Sequence, residues 1–162
     1  MVSENTDSRR ASELRAEAAD ALDRRDDGNR LAALYGLTPK VESAIVAAIR
    51  EGAEDRCRAL VAPLHPADQA DLLERLPKPQ SAALVRMLGD GLDAEALAYL
   101  GETTRDEIVD VMGMAALARQ LPDLDTDDAV NIIEELEQDE IDDVLAALPA
   151  EDRVLVEEGL AY

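Results

Sequence analysis

Apolar residues recur three and four positions apart through most of the chain, in short runs broken by Gly, Pro and capping residues. This spacing predicts amphipathic helices. Thr38-Pro39 reads as an N-cap followed by Pro at the first helical position, then Val41, Ala44, Ile45, Ala48 and Ile49 on one face, with Gly52 as the stop. A second helix covers about Glu54 to Val61. His65-Pro66 opens a third, with Gln69, Leu72, Leu73 and Leu76 on one face before Pro77. Gln80 to Leu88 follows, closed by Gly89, and Asp93 caps Ala94 to Leu100. Thr103 or Thr104 opens a helix bearing Ile108, Val111 and Met112, and Gly113 ends it. Met114 to Gln120 is a short piece. Thr126 opens Asp127 to Glu137, with Ala129, Ile132, Ile133 and Leu136 inward. Gln138 to Leu148 and a last helix from Pro149 to about Gly159 complete the series. No segment alternates as a strand would, so the predicted fold is all-α.

The chain repeats itself. Leu64–Leu76 (LHPADQADLLERL) and Leu124–Leu136 (LDTDDAVNIIEEL) share a leading Leu, an Asp four residues later, two adjacent aliphatics, a Glu and a final Leu. Weaker copies surround Arg105–Met112 and Glu140–Leu148. Short amphipathic helices cannot bury their stripes alone, so successive hairpins must stack. The expected architecture is a right-handed α-superhelix, a solenoid of helical hairpins, over residues 37–162. Residues 1–36 differ: Ser8 to Arg30 carries six arginines among acids, with a weak stripe at Leu14, Ala18 and Leu22. This stretch reads as an N-terminal arm with a marginal helix.

Composition narrows the function. There is no Phe or Trp, and aromatics make up 2% of the chain, so aliphatic side chains must fill the core. The formal net charge of −21 repels phosphate backbones and anionic lipid, which argues against nucleic-acid or membrane-surface partners. AIVAAI at Ala44–Ile49 is too short to span a bilayer, so no direct membrane insertion by this chain is expected. The N-terminus has no apolar secretory core, and a single Cys57 fits a reducing compartment; the expected location is cytoplasmic. One His and one Cys cannot build a zinc site or a nucleophilic triad, and no glycine-rich phosphate loop is present. His65 reads as a helix-boundary residue and Cys57 as packing or inert surface. An enzyme is not expected.

The carboxylates have a regional bias. From Leu121 to Tyr162 there are fifteen acids and one base, Arg153. Asp near a helix N-terminus complements the helix dipole, which accounts for individual acids. It does not account for the lack of Lys and Arg, because unscreened like charges four apart oppose helix formation by a few tenths of a kcal/mol per pair, about as much as an opposite pair stabilises. On the helix after Thr126, Asp127, Asn131 and Glu134 or Glu135 form the outward ridge. Hard oxygen ligands of this kind suit Mg²⁺ or Ca²⁺, and no 12-residue Ca²⁺ loop is present.

LHPADQADLLERLP, AEALAYLGETTRDEIVDVM and LDTDDAVNIIEELEQDEIDDVLAALP resemble the N-terminal cytosolic domain of the MgtE family of magnesium transporters and channels, from about Val41 to Tyr162. The resemblance implies an acidic α-superhelical domain that works beside a pair of cystathionine-beta-synthase (CBS) domains and a transmembrane pore, in a homodimer. It implies that Mg²⁺, weakly bound and shared with the CBS domains, holds the cytosolic part compact and the pore shut. The family's D-D-x-x-D helix here reads Asp127-Asp128-Ala129-Val130-Asn131, which makes Asp127, Asp128 and Asn131 implied metal ligands; Asn131 replaces an Asp and offers oxygen without charge. A further family acid falls at Glu95. The CBS domains and the pore are not part of this sequence. The rival reading is a helical-repeat interaction module, either like the flagellar motor switch proteins of the FliG type or a free-standing adaptor, with no metal response.

Overall fold

The computed structural model describes residues 36–161, and within them every regular element is helical. There are ten α-helices: α1 (Pro39–Glu51), α2 (Glu54–Val61), α3 (Pro66–Arg75), α4 (Lys78–Leu88), α5 (Ala94–Tyr99), α6 (Glu102–Met112), α7 (Met114–Gln120), α8 (Thr126–Glu134), α9 (Gln138–Ala147) and α10 (Ala150–Leu160). Single 3₁₀ turns at Gly89–Gly91 and Leu121–Asp123 precede α5 and α8. The predicted arm lies outside the described residues apart from Gly36.

Local chemistry starts and stops most of these helices where the sequence predicts. Thr38 Oγ1 accepts the Val41 N–H at 3.2 Å, and Gly52 ends α1 in the left-handed region at φ 67°. His65 is a cap: its Nδ1 accepts the Ala67 N–H at 3.1 Å. Asp93 Oδ1 accepts the Glu95 N–H at 3.0 Å. Several boundaries differ from expectation: α4 begins at Lys78 rather than Gln80, and α8 at Thr126, with Asp125 at the N-cap. α6 begins at Glu102, not after Thr103 or Thr104, because Glu74 of α3 supplies the cap from a distance; its Oε1 accepts the Gly101 N–H at 2.8 Å. α8 ends at Glu134, three residues early, because Glu137 already starts α9: its N–H donates to Glu140 Oε1 at 3.3 Å.

Helices stack mainly on the neighbour two along, as a superhelix requires: α2 on α4, α4 on α6, α3 on α5, α7 on α9 and α8 on α10. One continuous core results, running from Val41 and Ile45 in α1 through Leu72, Leu84, Leu97, Leu117 and Ile133 to Val144 and Val156. Cys57 is fully buried in it, its Sγ 3.7 Å from Met87 Sδ, and burial pushes its thiol up, so it is a packing residue.

Short helices expose many backbone ends, and buried polar side chains take them up. Gln69 donates to the carbonyls of Val61 and Leu64 (3.4 and 3.2 Å) and accepts the Asp93 N–H at 3.1 Å. Gln120 donates to the Leu92 carbonyl at 2.9 Å. The two glutamines thereby hold the entry to α5 from both sides. Arg105 closes the other end of α5: its Nε donates to Leu97 O and its Nη2 to Leu100 O, both at 2.8 Å. Its Nη1 pairs with Glu135 at 2.7 Å, with both side chains largely buried. At the far end, a Cβ on Gly159 of α10 would come within 2.5 Å of Val130 Cγ2 of α8, so this helical position has room for glycine only.

Two stability outcomes follow. Arg105→Met removes the donors to the Leu97, Ala98 and Leu100 carbonyls and leaves Glu135 charged and unpaired, and should lower unfolding free energy by about 3 kcal/mol. Chemical denaturation checks this, and Arg105→Met/Glu135→Gln should recover part of the loss. Gly159→Ala, although alanine favours helix by about 1 kcal/mol, should destabilise by about 1–3 kcal/mol through overpacking. In a Val130→Ala background the same change should stabilise, and thermal melts of the four variants show the sign reversal.

Candidate metal-binding face

Two helix starts, from different hairpins, build the acidic face. α5 begins at Ala94 with its entry fixed by Gln69 and Gln120; Ala94, Ala96 and Leu97 turn inward, which leaves Glu95 exposed. α8 buries Ala129, Val130, Ile132 and Ile133, so Asp127 and Asn131 face solvent and Asp128 is half-buried beside the neighbouring helix.

Between α5 and α8 runs a cleft of about 350 Å³ lined by Glu95, Ala98, Tyr99, Asp125 and Asp128. It holds three carboxylates and no base. A second cleft, of about 390 Å³, shares Ala98 and Asp128 with the first and continues past Asn131, Glu134 and Glu135 to Glu102 and Arg105. Asp128 is therefore the carboxylate common to both. Of the four residues predicted from sequence, Glu95 and Asp128 share the first cleft, Asp128 and Asn131 share the second, and Asp127 lines neither. Asp125 was missed. It sits at the N-cap position of α8, three residues before Asp128, and the run Asp125-Thr126-Asp127-Asp128 was the available signal.

The charge on this face is partly compensated. Glu135, predicted as the alternative to Glu134 on the outward ridge, is instead half-buried and bound to Arg105, so it is not a free ligand; its second carboxylate oxygen is buried without a hydrogen-bond partner. Arg105 is drawn there by the α5 carbonyls and brings Glu135 with it. By contrast, among the described residues no Lys or Arg lies within ion-pair distance of Glu95, Asp125, Asp127, Asp128 or Glu134.

Among the described residues, no three His, Cys, Asp or Glu side chains converge closely enough to enclose a metal ion. The donor set is hard oxygen throughout, carboxylates and one amide, spread along the walls of an open cleft. Such a surface fits a hydrated dication that keeps most of its own water and touches one or two carboxylates, the habit of Mg²⁺. It does not form the closed cage of a structural site.

None of the described helices is long and apolar enough to cross a membrane. No curated protein matches the chain. The model of the MgtE intracellular N domain matches residues 64–162, which take in both walls of the acidic cleft and every helix from α3 onward; α1 and α2 precede the match yet share the same core. The chain belongs to the MgtE intracellular N domain family.

Proposed function

We propose that this chain is the cytosolic, Mg²⁺-responsive regulatory part of a magnesium transporter, and that it works by pairing its acidic cleft with ligands from adjoining CBS domains. One observation carries this reading: Glu95 of α5 and Asp128 of α8 reach one cleft from separate hairpins with no base between them. A surface stabilised only by its own ion pairs would have placed Lys or Arg there.

The residues divide the work. Gln69, Gln120 and Arg105 fix both ends of α5, and so hold the backbone that carries Glu95 at the cleft. Asp128, half-buried, is the anchor; Glu95 and Asp125 supply charge across from and beside it; Asn131 adds an uncharged oxygen further along. With few direct ligands the affinity should be weak, near 1 mM or weaker, equivalent to about −4 kcal/mol or less. Weak binding suits a sensor of millimolar ion, and the CBS domains would complete the coordination. When the dication leaves, the carboxylates repel any acidic surface facing them, and the two domains separate. Catalysis has no part in this role, and the transporter reading places the domain on the cytosolic side.

At matched ionic strength, MgCl₂ at tens of millimolar should raise the thermal midpoint by about 2–4 °C over NaCl, which corresponds to about 1 kcal/mol. Asp128→Asn should abolish most of that difference, whereas Asp127→Asn, outside both clefts, should leave it intact. Equal midpoints in the two salts, or equal losses from the two variants, would contradict the assignment; an interaction module without metal response gives the first result.

A further inference from the structure

Two buried glutamines hold the entry to α5, and only one of them is fully used. Gln69 engages both ends of its amide: Nε2 donates to the Val61 and Leu64 carbonyls, and Oε1 accepts the Asp93 N–H. Gln120, 5% exposed, donates Nε2 to the Leu92 carbonyl at 2.9 Å, but its Oε1 is buried without a hydrogen-bond partner. Turning the amide over gives no relief, because Oε1 would then face the Leu92 carbonyl oxygen and Nε2 would be the orphan. An unpaired buried acceptor costs about 1–3 kcal/mol, so a donor that reaches it binds with that advantage.

Gln120 lines a cavity of about 520 Å³, larger than either acidic cleft and within the range of small-molecule sites. Its apolar walls come from three parts of the fold: Leu92 and Ala94 at the entry to α5, Ala118 in α7, and Ala147 at the end of α9. Three charged residues also line it. Arg119 pairs with Asp90 at 3.3 Å, whereas Asp123 has no ion-pair partner among the described residues. The lining therefore carries one negative charge in excess. One buried acceptor, one unpaired carboxylate and apolar walls together select an amphiphilic monocation. A hydrated metal ion gains nothing from the apolar walls, and a neutral molecule gains nothing from Asp123.

We propose that this cavity is a binding site for a small organic cation, an ammonium group on a short apolar body. The ammonium donates to Gln120 Oε1 and balances the charge of Asp123, and the apolar body packs on Leu92, Ala118 and Ala147. The site shares no lining residue with the α5–α8 clefts and does not depend on their taking a metal ion. It meets them through a single turn of backbone: Ala94 lines the cavity, and the next residue, Glu95, lines the first acidic cleft. Occupancy therefore registers on both faces of α5.

The test titrates the full ¹⁵N-labelled chain with phenethylammonium chloride, in about 150 mM NaCl to screen general charge attraction. Backbone amide signals of Leu92, Ala94, Glu95, Ala118 and Ala147 should shift saturably, and the side-chain amide of Gln120 should shift with them. Phenethyl alcohol, which lacks the charge, and ethylammonium, which lacks the ring, should each bind about tenfold more weakly. Ala147→Trp, at an exposed wall position, and Asp123→Asn should each weaken phenethylammonium by about fivefold. General attraction of a cation to an acidic protein predicts instead shifts along all the acidic helices and equal binding of ethylammonium. Either of those results, the absence of saturable shifts, or unchanged binding by Ala147→Trp overturns the proposal.

Discussion

Short helices end often, and every end leaves backbone groups that must find partners. In this chain local caps serve some ends, and several other partners come from far along the sequence. Glu74 caps α6, Arg58 of α2 donates to the Met87 carbonyl near the end of α4 at 3.0 Å, Gln69 and Gln120 fasten the entry to α5, and Arg105 closes its exit. These bonds join hairpins that aliphatic packing alone would leave free to slide, since Leu, Val and Ala offer no direction. The position of α5 against α8, and so the shape of the acidic cleft, depends on them.

The same constraint explains the shortage of counter-charges. The described part of the chain is poor in Lys and Arg, and its structure commits several of them to helix ends and inter-hairpin pairs: Arg75 with Glu42, Lys78 with Glu107, Arg119 with Asp90, Arg105 with Glu135. On α5 and the start of α8 nothing basic remains. A scaffold and an uncompensated face are therefore two results of one distribution of charge. If the domain responds to Mg²⁺ as proposed, that face is where the ion would register.

Much of the helical series was legible because Pro, Gly, Thr38, His65 and Asp93 punctuate it locally. The buried stripes were legible too, from spacing alone. The start of α6 was not, because its cap is a carboxylate twenty-seven residues away rather than a neighbour. Glu135 was misread as surface for the same reason: helical periodicity places it beside Glu134, and only the fold brings Arg105 to it. Within the acidic stretch, composition identified the region, and resemblance pointed to Glu95, Asp127, Asp128 and Asn131. Which of these share a cleft is a matter of how α5 lies against α8, and sequence spacing carries no information about that crossing.

Paramagnetic broadening by Mn²⁺, used as a stand-in for Mg²⁺, reports which residues a bound dication approaches. In amide NMR spectra recorded at low Mn²⁺, signals from Glu95 to Tyr99 and Asp125 to Asp128 should broaden first, and added Mg²⁺ should restore them. Broadening that spreads evenly over all acidic helices, or that begins at Glu151 to Glu158, would contradict an ion site between α5 and α8.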